Sequence, residues 1–180
     1  ATQKPSERWR KKLRPLLEEL SAAGVRRALL RWFPLVGRKP RGLDVSTPAR
    51  LELDPMCLGF SQRNEDVLRG MLWVSIDLAD EVLSAVIADL ANRCYQKVPD
   101  QGPRSPKLGN ACIQALGQMQ TVGAVGHLHR LRLKLEYQAA IKQIDKALQA
   151  AAEHFESTPQ ELEELAVPTY GLNAQGHLQQ

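Results

Sequence analysis

Wherever apolar residues of this chain fall into a pattern, the spacing is helical, and between Asn64 and Phe155 the stripes come in pairs. The first pair runs from Asn64 to Leu78 and from Asp80 to Lys97; the second runs from Lys107 to Met119 and from Val122 to Leu135. The step from Asn64 to Pro106 is 106 − 64 = 42 residues, within the ~40–47 residues of HEAT-type helical hairpins. Such hairpins bury their apolar faces only by stacking on neighbours, so the pattern predicts a binding scaffold with no reaction centre of its own. In the first helix Val67, Leu68, Met71, Leu72, Trp73, Val74, Ile76 and Leu78 leave little polar face, which predicts a central helix covered on most sides. Val82, Leu83, Val86, Ile87, Leu90 and Cys94 make a cleaner stripe on the next. Val122, Val125 and Leu128 carry helical spacing into Arg130–Leu135, where alternating apolar and basic residues would otherwise suggest a strand. Ala139, Ala140, Ile144, Ala147, Leu148, Ala151 and Phe155 predict a further helix of small residues suited to close packing.

Punctuation residues set the ends. Ser6 is a candidate N-cap for a helix carrying Trp9, Leu13, Leu16, Leu17 and Leu20, which Pro15 either kinks or restarts. Val25, Ala28, Leu29, Trp32 and Phe33 form a second stripe, ended by Pro34 and Gly37. Pro34, Pro40, Pro48 and Pro55, with Gly37, Gly42 and Gly59, exclude regular elements of ordinary length from 34 to 62. Val98 to Pro106 reads as a loop, with Ser105-Pro106 as N-cap and first helical residue. Thr158-Pro159-Gln160-Glu161 is a capping box that opens a short acidic helix ending near Leu165, after which Val167–Leu172 leaves helical spacing. The expected division is a basic helical hairpin over 1–37, a Pro/Gly-rich linker over 38–62, HEAT-like repeats over 63–166 and an irregular tail over 167–180 leading to an absent C-terminal region. A start at Ala1 without methionine and a polar end at Gln180 read as a piece of a longer protein.

Composition sharpens the fold. With 43% apolar but only 5% aromatic residues among 180, Leu, Ala and Val must fill the core. The fold class expected is all-α, a HEAT/armadillo-like right-handed stack of about seven helices. The net charge of +4 hides an asymmetry: residues 1–50 hold 13 basic and 4 acidic side chains, net +9, leaving 24 − 13 = 11 basic and 20 − 4 = 16 acidic, net −5. A basic head on an acidic body can meet nucleic acid, an anionic surface, an acidic protein or its own body. Cys57, Cys94 and Cys112 show no CxxC spacing, which fits reduced thiols in a cytoplasmic protein. No run of 18 apolar residues and no charged-then-apolar leader occurs, in keeping with that location.

Candidate chemistry is sparse. His127 and His129 point about 200° apart on a helix and cannot grip one ion; His154 sits near a helix C-terminus. Asp77, Asp80, Glu81 and Asp89, like Glu161, Glu163 and Glu164, fit capping and helix-dipole roles. Gly117, Gly123 and Gly126 lack the strand and the Gly-Lys-Ser/Thr of a phosphate loop. The expectation is therefore no catalytic residue, no cofactor and no metal: not an enzyme. Arg10, Lys11, Arg14, Arg27 and Arg31 are the candidate anion-binding residues of the head. The preferred reading turns Trp9, Leu13, Trp32 and Phe33 into the core and leaves those charges solvated; contact with nucleic acid or with a membrane surface are the others. For a protein partner, the second helix of each pair lines the binding face, with Asp89, Asn92, Arg93 and Gln96 on one and His127, Arg130 and Lys134 on the next. The rival function is nucleic-acid binding through the basic head together with Arg130, Arg132 and Lys134.

The segment Leu108–Gly117 followed by Ala124-Val125-Gly126-His127-Leu128 resembles the Ala-Leu-Gly helix end and Ala-Val-x-x-Leu helix of HEAT-like repeats. From about Arg63 to Gly176 the chain resembles the MolR-like family of large bacterial proteins, through the Ala-rich helix Tyr137–Phe155, the Thr158–Leu165 helix, and Val167–Leu172 with Gly176 after it. The likeness covers the last two-thirds and leaves the basic head outside. It implies an armadillo-like fold ahead of an uncharacterised C-terminal domain, with no catalytic residues. It supports the scaffold reading and adds no mechanism; the partner expected is another protein or other domains of the same full-length chain, with nucleic acid as the alternative.

Overall fold

A computed structural model describes residues 5–37, 62–98, 100 and 102–165. The expected linker and tail lie almost wholly outside these residues; Gln62, the last residue assigned to the linker, opens a helix. Among the described residues the chain is helical: α1 (Glu7–Leu20), α2 (Ala22–Trp32) with a 3₁₀ turn at Phe33–Leu35, α3 (Gln62–Leu78), α4 (Glu81–Tyr95), α5 (Pro106–Met119), α6 (Val122–Lys134), α7 (Gln138–His154) and α8 (Pro159–Leu165). The body thus holds six described helices where about seven were expected. The Val98–Pro106 loop departs from expectation by containing a minimal antiparallel pair, β1 (Lys97–Val98) with β2 (Gly102–Pro103), turned by positive φ at Asp100 and Gly102.

The helices pack in two layers. α5 lies against both α3 and α7, and α6 lies against both α4 and α8. α2 also packs on α3, α4 on α5, α5 on α6, α6 on α7 and α7 on α8, whereas α3 and α4, expected as a packed pair, scarcely touch. Polar ties align the second layer. Arg26 in α2 reaches the Asp80 carboxylate through Nε at 2.9 Å and Nη2 at 3.1 Å, and Asp80 accepts the Leu83 N–H at 2.8 Å as N-cap of α4. The Arg26 hydrogen bond is the main influence holding the Asp80 carboxyl below its usual range. At the other end, Arg93 donates to the Phe33 and Val36 carbonyls, so α2 runs parallel to α4. Glu81 at the start of α4 accepts the Gly123 N–H at the start of α6, at 3.2 Å and 42 residues away, the same step as the sequence repeat.

One core joins head and body, since Leu29 and Phe33 belong to the same buried cluster as Leu72, Leu90, Leu116 and Ile144. The central helix is α5, contrary to the expectation for α3. α5 packs on α3, α4, α6 and α7 and buries Leu108, Cys112, Ile113, Leu116 and Met119. On α3, Val67 is exposed and Met71, Trp73 and Val74 are only partly covered. The reason is bulk: α5 presents Gly109, Ala111, Ala115 and Gly117, which let neighbours approach closely, whereas α3 has branched and aromatic residues all round. A Cβ at Gly109 would stand 2.5 Å from the Tyr95 ring, and one at Gly117 2.9 Å from Ala147.

Candidate functional site

The sequence places seven partner-binding candidates on α4 and α6, and the structure divides them. Asn92, Gln96 and Lys134 come together in a groove of about 360 Å³ at the C-terminal ends of those two helices. One wall is Gln96, Lys97 and the Gly102–Pro103 strand; the other is Lys134, Leu135 and Glu136. Tyr95 and Tyr137 complete it, their ring centroids 5.7 Å apart. The C-terminal ends of α4 and α6 and the residues that follow them line this groove. Gln96 caps α4 by donating to the Arg93 carbonyl at 3.3 Å, and Leu135 closes α6 on the Leu131 carbonyl at 2.9 Å. The Cys94 and Gln96 carbonyls are then taken by Ser105 and Arg104 N–H groups, which folds the β1–β2 hairpin over the helix end.

The floor is fixed. Tyr95 is buried, its hydroxyl donates to Asn110 on α5, and burial pushes that phenol well above its ordinary range. Tyr137 remains 40% exposed above it. Lys97 and Lys134 are both exposed, one on each wall. The site therefore offers an aromatic, apolar base with two amides, two ammonium groups and the Glu136 carboxylate around it.

Asp89, His127 and Arg130 form a separate patch nearer the middle of the two helices. Arg130 Nη2 lies 3.1 Å from His127 Nδ1. Burial and the Arg130 charge hold the imidazole below its ordinary range, against the opposing pull of Glu81 and Asp89. The guanidinium can only donate, so in this contact His127 Nδ1 is the acceptor. Arg93 does not join the partner face, because its guanidinium is turned to the head carbonyls.

The anion-binding candidates are likewise split. Arg10 is half-buried and donates to Gln118 Oε1 at 3.4 Å, whereas Lys11, Arg14, Arg27 and Arg31 are exposed. Arg132 pairs with Asp145 on α7. Trp9 meets Trp73 edge-on at 5.4 Å and Phe33 is fully buried, but Trp32 is 48% exposed, so the expected core face of the head is only partly realised.

Buried polar groups serve the fold. Ser105 caps α5 by accepting the Leu108 N–H and donates to Glu65 of α3; Ser75 and Ser84 donate to carbonyls of their own helices. Burial raises the Cys112 thiol well above its ordinary range, with Cys94 beside it. Among the described residues, no three His, Cys, Asp or Glu side chains converge as a metal-ligand set. Spacing alone missed Tyr95, Lys97 and Tyr137. A signal existed in scarcity: the chain has three tyrosines, and two stack here. Compared with family models, curated proteins and solved structures, the chain matches none.

Proposed function

We propose that this chain is a HEAT-like, right-handed stack of helical hairpins acting as a non-catalytic protein-interaction scaffold, with the groove at the ends of α4 and α6 as its docking site. The observation that carries the reading is the meeting of Asn92, Gln96 and Lys134, from two hairpins, around the exposed Tyr137 ring. The packing of α5 on both α3 and α7 and of α6 on both α4 and α8 supports the repeat architecture, with the sparse contact between α3 and α4 as the departure from it. The partner is an extended acidic segment with an apolar anchor, from another protein or from another domain of a longer MolR-like bacterial chain. Two buried, reduced cysteines, Cys94 and Cys112, suit a cytoplasmic setting. Among the described residues no helix is long and apolar enough to cross a membrane.

The nucleic-acid reading has less support. Its cations are spread over α1, α2 and α6; α4, with Glu81 and Asp89, lies between α2 and α6, and Arg26 and Arg132 are spent on Asp80 and Asp145. Anisotropy titration of labelled acidic peptides, each with one leucine or phenylalanine, tests the choice. The account expects saturable binding that weakens roughly tenfold or more in Lys134→Glu. Salt-sensitive binding of generic duplex in place of those peptides would establish the rival.

A further inference from the structure

A different surface, on the head, combines features that the groove does not use. Residues 8, 12, 16 and 20 of α1 recur every fourth position and form one ridge along the helix. They are Arg8, Lys12, Leu16 and Leu20. All four are exposed, the leucines at 52% and 65%, and α1 buries no residue at all. Trp9 against Trp73 and Arg10 on Gln118 tie the N-terminal half of α1 to the body. Trp32 and Leu35, at the end of α2, are exposed as well. Between residues 5 and 37 the hairpin holds eight basic side chains (Arg8, Arg10, Lys11, Lys12, Arg14, Arg26, Arg27, Arg31) against three acidic ones (Glu7, Glu18, Glu19), a net of 8 − 3 = +5.

From this we infer that the α1 ridge is a peripheral contact for an anionic lipid bilayer. Leu16 and Leu20 enter the acyl boundary while Arg8 and Lys12, on the same ridge, meet the headgroup charge. The chemistry selects this occupant. A phosphate backbone rewards the cations but leaves two leucines in water. An anionic bilayer takes both the charge and the apolar side chains. The ridge does not depend on the peptide groove, so either can fail alone.

The test is co-sedimentation of the full chain with vesicles of phosphatidylcholine mixed with phosphatidylserine, and of phosphatidylcholine alone. The expected result is partition onto the mixed vesicles only, falling as salt is raised. The pair Leu16→Ser and Leu20→Ser lowers it roughly tenfold or more, with helix content and melting unchanged. A second pair, Arg8→Glu and Lys12→Glu, abolishes the preference for the anionic lipid. Equal partition onto both vesicle types, or unchanged partition in the serine pair, overturns the proposal. So does binding to duplex or RNA with no vesicle partition, or self-association through the same leucines without it.

Discussion

Single residues show where packing overrules propensity. Gly109 and Gly70 both sit inside helices, where alanine is intrinsically better by about 1 kcal/mol. A Cβ at Gly70 meets nothing within 4 Å, so Gly70→Ala should raise stability by roughly 0.5–1 kcal/mol in urea denaturation. At Gly109 the Tyr95 ring blocks the added methyl, and the ring is tethered to Asn110, so Gly109→Ala should lose about 1–3 kcal/mol. Asp80 gives a pH-dependent case. Arg26 and the Leu83 N–H hold its folded pKa below the unfolded value, so its stabilisation is present above that value and fades as pH falls through the folded one. Asp80→Ala should cost about 1–2 kcal/mol near neutrality, and the gap from wild type should shrink below about pH 4. The caps Ser6, Asp80, Ser105 and Thr158 were legible because cap and helix are neighbours in sequence. The Glu65 to Ser105 bond spans 40 residues and leaves no local trace.

At the scale of elements, periodicity located every body helix yet misjudged which one is central. A count of apolar residues favours α3, but burial follows how closely neighbours can approach, and α5 wins through its glycines and alanines. Leu116→Ala on α5 should therefore cost about 2–5 kcal/mol. Leu133→Ala on α6 should change stability by no more than about 0.5 kcal/mol. Leu116 is 1% exposed and Leu133 79%, although both stand in helices of similar pattern. Thermal melts of the two variants check the contrast. The alternation from Arg130 to Leu135 illustrates the same point: the helix persists to Lys134, with Leu131 and Leu135 buried and Leu133 left outside.

For the molecule as a whole, the all-α class was readable because apolar residues keep helical spacing through the body, and the 42-residue offset proposed as a repeat has one counterpart in the Glu81 to Gly123 bond. The groove was readable in half. Asn92, Gln96 and Lys134 follow from helical spacing, whereas Lys97 and Tyr137 come from the connections after each helix, where spacing carries no direction. Arg93 shows the converse, a well-placed cation that the fold uses internally. The central claim is that the C-terminal ends of α4 and α6 make the docking site. Backbone-amide chemical-shift mapping, with the tightest acidic peptide from the anisotropy series added, tests it most directly. The account predicts shifts concentrated at Asn92, Gln96, Lys97, Lys134 and Tyr137; shifts centred on α1 and α2, or none at the groove at saturation, would contradict it.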